Sequence, residues 1–370
     1  MRYAMIMAGG SGTRLWPMSR DGQPKQLIRF IHQPDGSVAS LLEIAADRMS
    51  GLVPTDKRYI CTGERYRAQI KDALPAFDDA HILGEPQPRD TVNAVAFAAA
   101  VFAKEDPGAV FAVLTADQLI TPPDVFRSAM DIGYRLVEEA PTRLVTFGIT
   151  PTHPATGYGY IEKGGPVRVG DEDVGAFGVE RFVEKPMLEK AEAYVGSGRY
   201  FWNSGMFVFN ARKFLELYEH YLPENKAGMR RIASAWGTPA QQAVLDEVYP
   251  TLKKTSVDYG VMEPAVNAEN ASIVGVEMAA DWLDVGSWPS YAETLASDDA
   301  NNRSAGLRLA SHESHNCIAI GDGQDPDHLI ALVGCEDLIV VRTERATLVM
   351  PREKGEALKA LHAQLDESDR

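Results

Sequence analysis

Tyr3-Ala4-Met5-Ile6-Met7 runs directly into Ala8-Gly9-Gly10-Ser11-Gly12-Thr13-Arg14-Leu15-Trp16-Pro17, and Pro24-Lys25-Gln26 follows shortly after. A short unbroken apolar run that ends in glycines reads as a buried strand feeding a tight turn. The pattern repeats downstream. Ser40 to Met49 reads as a helix with Ser40 at its N-cap, and Arg58 to Thr62 as a second strand. Thr91 to Phe102 reads as an Ala-rich helix, and Val110 to Leu114 as a third strand ending at Thr115-Ala116-Asp117. This alternation predicts an α/β fold, a Rossmann-like, mostly parallel mixed sheet flanked by helices. Ligands of such sheets bind outside the carboxyl ends of the strands, where both the glycine loop and Asp117 fall.

Further along, Gly157-Tyr158-Gly159-Tyr160, Phe182 to Pro186 and Phe201 to Phe209 are rich in glycine and aromatic residues and read as strands and loops walling a pocket. The composition changes near residue 295. Ala296 to Gly306 is polar and reads as a linker. Short β-rich runs follow at Cys317 to Ile320, Leu329 to Val333, Leu338 to Val341 and Thr347 to Met350, and then Arg352 to Leu365 reads as a closing amphipathic helix. The expected organisation is a large domain over residues 1–295 and a small β-rich domain over 296–370, with no internal repeat of fixed period.

The balance of 45% hydrophobic and 24% charged residues in 370 is that of a globular protein with a core large enough to need no staples. The net charge of −15 argues against duplex DNA and anionic membrane surfaces as partners, and no basic run offsets it. No stretch approaches the length of a membrane helix, and the N-terminal apolar run is too short for a signal sequence. Cys61, Cys317 and Cys335 are odd in number and lack CxxC spacing, which predicts a reducing, cytoplasmic setting without disulfides or a zinc site.

Consecutive glycines let backbone N–H groups approach phosphate oxygens, while Arg14 offers a planar fork and Lys25 a point charge. Neither the P-loop spacing nor GxGxxG is present, because Leu15 occupies the position that each would require to be glycine. Asp117 and Asp284 are two carboxylates that could share one Mg²⁺ with substrate phosphates, although Asp117 alone is equally a helix cap or turn residue. On their own, Glu184 and Lys185 read as a solvated pair before a proline and Asn203 as a turn-forming Asx residue.

The glycine string resembles the signature of the nucleoside-diphosphate-sugar pyrophosphorylases and is most similar to that of the mannose-1-phosphate guanylyltransferases, through Arg14-Leu15-Trp16-Pro17. Further motifs follow in that family's order: Pro88-Arg89-Asp90-Thr91, Ala116-Asp117, Thr156 to Ile161, Phe182 to Pro186, Trp202 to Phe207, Ser256 to Glu263 and Trp282 to Trp288. The resemblance covers about residues 3 to 290, and the β-rich tail is similar to that of the family's short, single-function form.

It implies nucleotide binding by Ala8, Gly9, Gly10, Gly12, Thr13, Arg14, Arg89, Asp90 and Thr91. It implies Mg²⁺ held by Asp117 and Asp284, the sugar held by Gly159, Glu184 and Asn203, and catalytic roles for Arg14, Lys25 and Lys185. The implied reaction joins GTP and mannose 1-phosphate into GDP-mannose and pyrophosphate, in a homodimer. The attacking phosphate is already largely ionised, so no side-chain base or nucleophile is needed. Other triphosphates or hexose and heptose 1-phosphates, and a non-catalytic nucleotide-sugar-binding subunit, are the alternatives.

Two departures stand out. Gln118 replaces the family's histidine after Ala116-Asp117. Val92-Asn93 replaces Ala-Pro in a segment expected to face the base. No cupin-like isomerase domain follows, so no isomerase activity is expected.

Overall fold

A computed structural model describes residues 1–10, 12–33 and 35–370; Ser11 of the glycine loop lies outside the described residues. The chain forms two compact units interleaved in sequence. One contains Met1–Gly9, Ala45–Ala116 and Ile120–Trp282; the other contains Gly10–Ile44, Asp117–Leu119 and Leu283–Arg370. The composition along the chain predicts instead a single boundary near residue 295.

The first unit is built on a nine-stranded sheet. Its strands are β1 (Arg2–Met7), β2 (Arg58–Gly63), β3 (Ile82–Glu85), β4 (Val110–Thr115), β5 (Arg143–Ile149), β6 (Gly159–Val169), β7 (Glu172–Val183), β8 (Tyr200–Asn210) and β9 (Ser272–Glu277). The spatial order is β3-β2-β1-β4-β8-β5-β9-β7-β6. The parallel character expected of the sheet belongs to β3-β2-β1-β4 and to the β5–β9 pair. Strand β8 runs antiparallel to β4, β5 and β6, and β7 runs antiparallel to β6 and β9.

The parallel strands are apolar runs because helices cover both faces. In α1 (Asp90–Glu105) every residue from Val92 to Phe102 is buried, as expected of a helix apolar all round. In α2 (Pro123–Glu139) Phe126, Met130, Tyr134 and Val137 form one buried stripe, and the Tyr134 hydroxyl donates to the Tyr3 carbonyl at 2.6 Å. The carboxyl ends of β1, β3 and β4 deliver Ala8, Glu85 and Thr115-Ala116 to one edge.

The second unit packs the segment after the glycine loop into one core with the C-terminal residues. Leu15, Trp16, Phe30, Trp288, Tyr291, Ile318, Ile339, Val341 and Leu358 share it. Side chains of this size contribute about 1.5–3 kcal/mol each when fully buried. The Trp288 indole donates to the Trp16 carbonyl at 2.9 Å and the Tyr291 hydroxyl to that of Phe30 at 2.9 Å. Ser40 and Glu43 form a reciprocal capping pair before the helix Leu41–Arg48, as expected of Ser40.

The C-terminal strands form coils of a parallel β-helix, a repeat in space that has no fixed period in sequence. Arg303–Ala305, Ile318–Gly321 and Leu338–Arg342 stack in parallel, as do Arg308–His312 and Leu329–Val333. Asn301, Asn316 and Asp337, with φ of 59°, 55° and 53°, mark successive coils at one corner. Asn301 donates to Asn316 at 2.8 Å across 15 residues, and Asn316 donates to Asp337 across 21. Unequal coils leave no constant period. The expected linker is also partly structural: Asn302 is 2% exposed and its amide holds Ser314 and Cys317 backbone.

The expected closing helix is instead a 3₁₀ stretch, Arg352–Ala357, followed by a short α-helix, Leu358–His362. Cys61, Cys317 and Cys335 are free thiols. Among the described residues no helix is long and apolar enough to cross a membrane.

Candidate active site

In the second unit, Gly10 and Gly12 take φ of 102° and 66°, values that glycine adopts without strain. A Cβ on Gly12 would stand 2.7 Å from that of Lys25, so the loop closes directly on the lysine. Thr13–Leu15 makes a single 3₁₀ turn, and the Ser19 hydroxyl donates to the Gly12 carbonyl at 2.6 Å. Lys25 is 7% exposed. Its Nζ lies 2.9 Å from Asp117 Oδ2 and donates to the Val285 carbonyl at 3.4 Å.

The Val285 N–H donates to the Asp117 carbonyl at 2.8 Å, which brings Asp284 alongside Asp117. Burial, and then the charge of Asp117, pushes the Asp284 carboxyl up to about 6, against the opposing pull of Lys25 and Arg14. A Cβ on Gly286 would lie 3.5 Å from both Arg14 Nη2 and Asp284 Oδ2, so glycine keeps the space beside them open. Arg14 Nη1 is 2.7 Å from Glu356 Oε1.

Among the described residues no cluster of three or more His, Cys, Asp or Glu could hold a metal. Two mutually repelling carboxylates, with the remaining positions left to phosphate oxygens and water, fit a hard divalent cation.

In the first unit, Asn203 sits where β8 breaks register between Asn203 and Phe207, with Gly205 at φ 72°. Such a bulge re-aims a side chain. Thr146 donates to Asn203 Oδ1 at 2.8 Å, and Asn203 Nδ2 donates to Asp258 Oδ1 at 3.0 Å, so both ends of the amide are fixed. Desolvation, and then the charge of Glu184, pushes the Asp258 carboxyl up to about 7.

Glu184 Oε1 is 2.7 Å from Lys185 Nζ, and this bond raises the Lys185 ammonium above its ordinary value. Lys185 has φ 46° and Asp90 has φ 64°, strained positions that cost on the order of 1 kcal/mol and gather at functional sites. A Cβ on Gly159 would come 2.5 Å from Glu184 Oε2. Tyr158 packs edge-on against Trp202 and Trp282 at 5.2 and 4.9 Å.

Arg89, Asp90 and Thr91 stand at the start of α1. The Asp90 carboxylate accepts from Thr91 N at 2.9 Å, and Thr91 Oγ1 accepts from Val257 N at 2.8 Å, next to Asp258. Among the described residues, Arg89 Nε is buried without a hydrogen-bond partner. Ala8 donates its N–H to the Cys61 carbonyl and accepts from Thr62 Oγ1, which fixes the last backbone before the glycines.

The expectation that Val92-Asn93 faces a base is corrected. Both are 0% exposed. The Asn93 amide donates to the Arg89 and Lys253 carbonyls and accepts from Tyr218 and Asn225. Asn93 is a buried polar hub, and Gln118 is likewise buried.

The structure therefore gathers Gly10, Gly12, Thr13, Arg14, Lys25, Asp117 and Asp284 in one unit. It gathers Ala8, Gly9, Arg89, Asp90, Thr91, Gly159, Glu184, Lys185 and Asn203 in the other. Sequence reading gave no role to Asp258, Thr146, Glu356 or Glu85. Asp258 lay inside a recognised motif. Glu85 ends β3 and accepts from the Tyr249 hydroxyl at 2.7 Å, with burial pushing it up to about 7. Glu356 sits 342 residues from its partner.

A family model described as Nucleotidyl transferase matches residues 3–301, and one described as MannoseP isomerase/GMP-like beta-helix domain matches residues 308–365. A mannose-1-phosphate guanylyltransferase of Klebsiella pneumoniae is 37% identical over 97% of this chain and 73% of its own length. One from Escherichia coli strain K12 is 36% identical over 98% of this chain and 73% of its own. A crystal structure from Thermus thermophilus, described as a mannose-1-phosphate geranyltransferase, superposes with a TM-score of 0.82 at 29% identity over 98% of both chains.

Proposed function

The chain belongs to the nucleotidyl transferase family, among the mannose-1-phosphate guanylyltransferases, and from that premise we propose that it transfers GMP from GTP to α-D-mannose 1-phosphate. The carrying observation is the cluster of Arg14, Lys25, Asp117 and Asp284 around a glycine loop. It provides cations for a polyphosphate and a carboxylate pair for one Mg²⁺.

In this reading the loop amides of Gly10, Gly12 and Thr13 and the Arg14 fork hold the triphosphate, and Lys25 orients the Asp117 carboxylate. Mg²⁺, held by Asp117 and Asp284, would neutralise charge on the triphosphate. Glu184, Asn203 and the Gly159 backbone hold the hexose hydroxyls, and Lys185 leaves Glu184 to hold the sugar phosphate. Ala8, Gly9, Arg89, Asp90 and Thr91 serve the nucleoside.

An oxygen of mannose 1-phosphate then forms a bond to the α-phosphorus as the bond to the bridging oxygen breaks, and pyrophosphate leaves with the electron pair. Catalysis consists of alignment and charge stabilisation. The proposal extends to a cytoplasmic homodimer, supported by the resemblance and the free cysteines.

Chirally labelled α-thio-GTP tests the step: a single in-line displacement inverts the configuration at the α-phosphorus. Retention would reveal a covalent intermediate and overturn the mechanism.

A further inference from the structure

The second unit contains a cleft of about 580 Å³ that includes none of the residues assigned above. Its volume lies in the range of small-ligand pockets. In a chain of net charge −15, three arginines line it: Arg20, Arg29 and Arg345. Gln23, Gln324 and the Thr343 hydroxyl stand among them.

The arginines differ in how they are held. Arg29 donates from Nε and Nη2 to the Val38 carbonyl and lies 3.5 Å from Glu43. Arg345 donates to the Ser368 carbonyl. Arg20 donates from Nε to the Pro17 carbonyl at 3.2 Å and from Nη2 to Thr343 Oγ1 at 3.4 Å. No carboxylate pairs with Arg20 or Arg345 among the described residues. Two acids also line the cleft: Asp322 accepts from the backbone N–H groups of Gln324 and Glu344, so its charge is held by amides, and Glu344 is exposed to solvent beside Arg345. A guanidinium with donors left over and no counter-ion is suited to a phosphate.

Arg20 also sits at the back of the glycine loop. Its preceding residue, Ser19, holds the Gly12 carbonyl at 2.6 Å. Arg20 and Gln23 exchange backbone hydrogen bonds at 3.0 and 2.9 Å, and this turn leads through Pro24 to Lys25, which holds Asp117. A load on the Arg20 guanidinium therefore acts on both ends of the turn that places Gly12 and Lys25.

We infer that this cleft is a second anion site, which takes a phosphorylated metabolite of hexose-phosphate size and adjusts the glycine loop from behind. The phosphate engages Arg20 and Arg345, and Gln23 and Gln324 meet hydroxyls. The regulatory part rests on the proposed role of the glycine loop in phosphate binding; the binding part does not.

The test is calorimetric titration of the full chain with glucose 6-phosphate, and separately with inorganic phosphate, in wild type, Arg20→Gln, Arg345→Gln and Arg14→Gln. The expected result is saturable binding of glucose 6-phosphate, tighter than that of inorganic phosphate. Arg20→Gln and Arg345→Gln should each weaken it about tenfold, the loss of one charged contact, and Arg14→Gln should leave it unchanged. Equal binding in the Arg20 and Arg345 variants, loss in the Arg14 variant, or no binding by wild type at ~10 mM would overturn the site. In turnover assays, glucose 6-phosphate should shift the KM for GTP in wild type and not in Arg20→Gln. If wild type releases no pyrophosphate from any substrate pair, the proposed reaction fails while the titration still decides the site.

Discussion

Both units rest cations on carboxylates, Lys185 on Glu184 in the first unit, but they differ in what surrounds those pairs. Around the glycine loop, each cation rests on a carboxylate: Lys25 on Asp117 and Arg14 on Glu356. These are pairs that a polyphosphate and a divalent cation can exchange. Around Asn203 the arrangement is a hydrogen-bonded frame, with Thr146 and Asp258 fixing the amide and burial holding the Asp258 carboxyl toward its neutral form. In the proposed reading the glycine-loop region serves the transfer of charge and the Asn203 region the recognition of hydroxyls. Substitutions in the first should act on turnover, and substitutions in the second on sugar affinity and on the pH response.

The largest effect is expected at the carboxylate pair. Asp117→Asn or Asp284→Asn should lower kcat on the order of 10³-fold, as expected when a preorganised electrostatic group is lost, with the thermal midpoint little changed. Turnover close to wild type in either variant would break the assignment of charge handling to this region.

Asp258 separates the regions by pH. Its folded carboxyl binds its proton up to about 7, whereas an unfolded aspartate releases it near ~3.9. Between those values the native state binds more protons, so wild-type stability falls as pH rises from about 4 to about 7. Asp258→Asn should remove that contribution, roughly a few kcal/mol at most. Urea unfolding at pH 5 and pH 8 measures it: the difference between the two pH values should shrink in the variant, and an unchanged difference would mean that the carboxyl is ionised throughout.

Glu184→Gln should raise the KM for mannose 1-phosphate about 10- to 100-fold, the worth of a charged hydrogen bond, while the KM for GTP stays within error. A parallel rise in both constants would erase the proposed division of labour. The smallest effect is expected at Glu356, whose pair with Arg14 is exposed. Glu356→Gln should lower the KM for GTP by about 2- to 5-fold in low salt, the scale of a surface ion pair. A KM that rises would mean that Glu356 aids binding.

Much of this contrast could be read along the chain. The first parallel strands and the glycine turn were legible because apolar runs ending in Gly or Asp are local signals. Arg14, Lys25, Asp117 and Asp284 were legible by chemistry and motif. The partner of Arg14 was not, because Glu356 is distant in sequence and its residue type carries no local mark. The neighbours of Asn93 in sequence suggest a ligand face, but only tertiary packing decides that it turns inward to Tyr218 and Asn225. The β-helix has no fixed period in sequence because its corner residues Asn301, Asn316 and Asp337 are unequally spaced.

The central claim is the joining of guanylyl and mannosyl phosphates, and it is tested most directly by pyrophosphate release from a crossed panel of ATP, CTP, GTP and UTP with mannose, glucose and heptose 1-phosphates, in the presence of Mg²⁺. The account predicts that GTP with mannose 1-phosphate has the highest kcat/KM and that chelation abolishes release. If another pair ranks first, or no pair releases pyrophosphate, the account is contradicted.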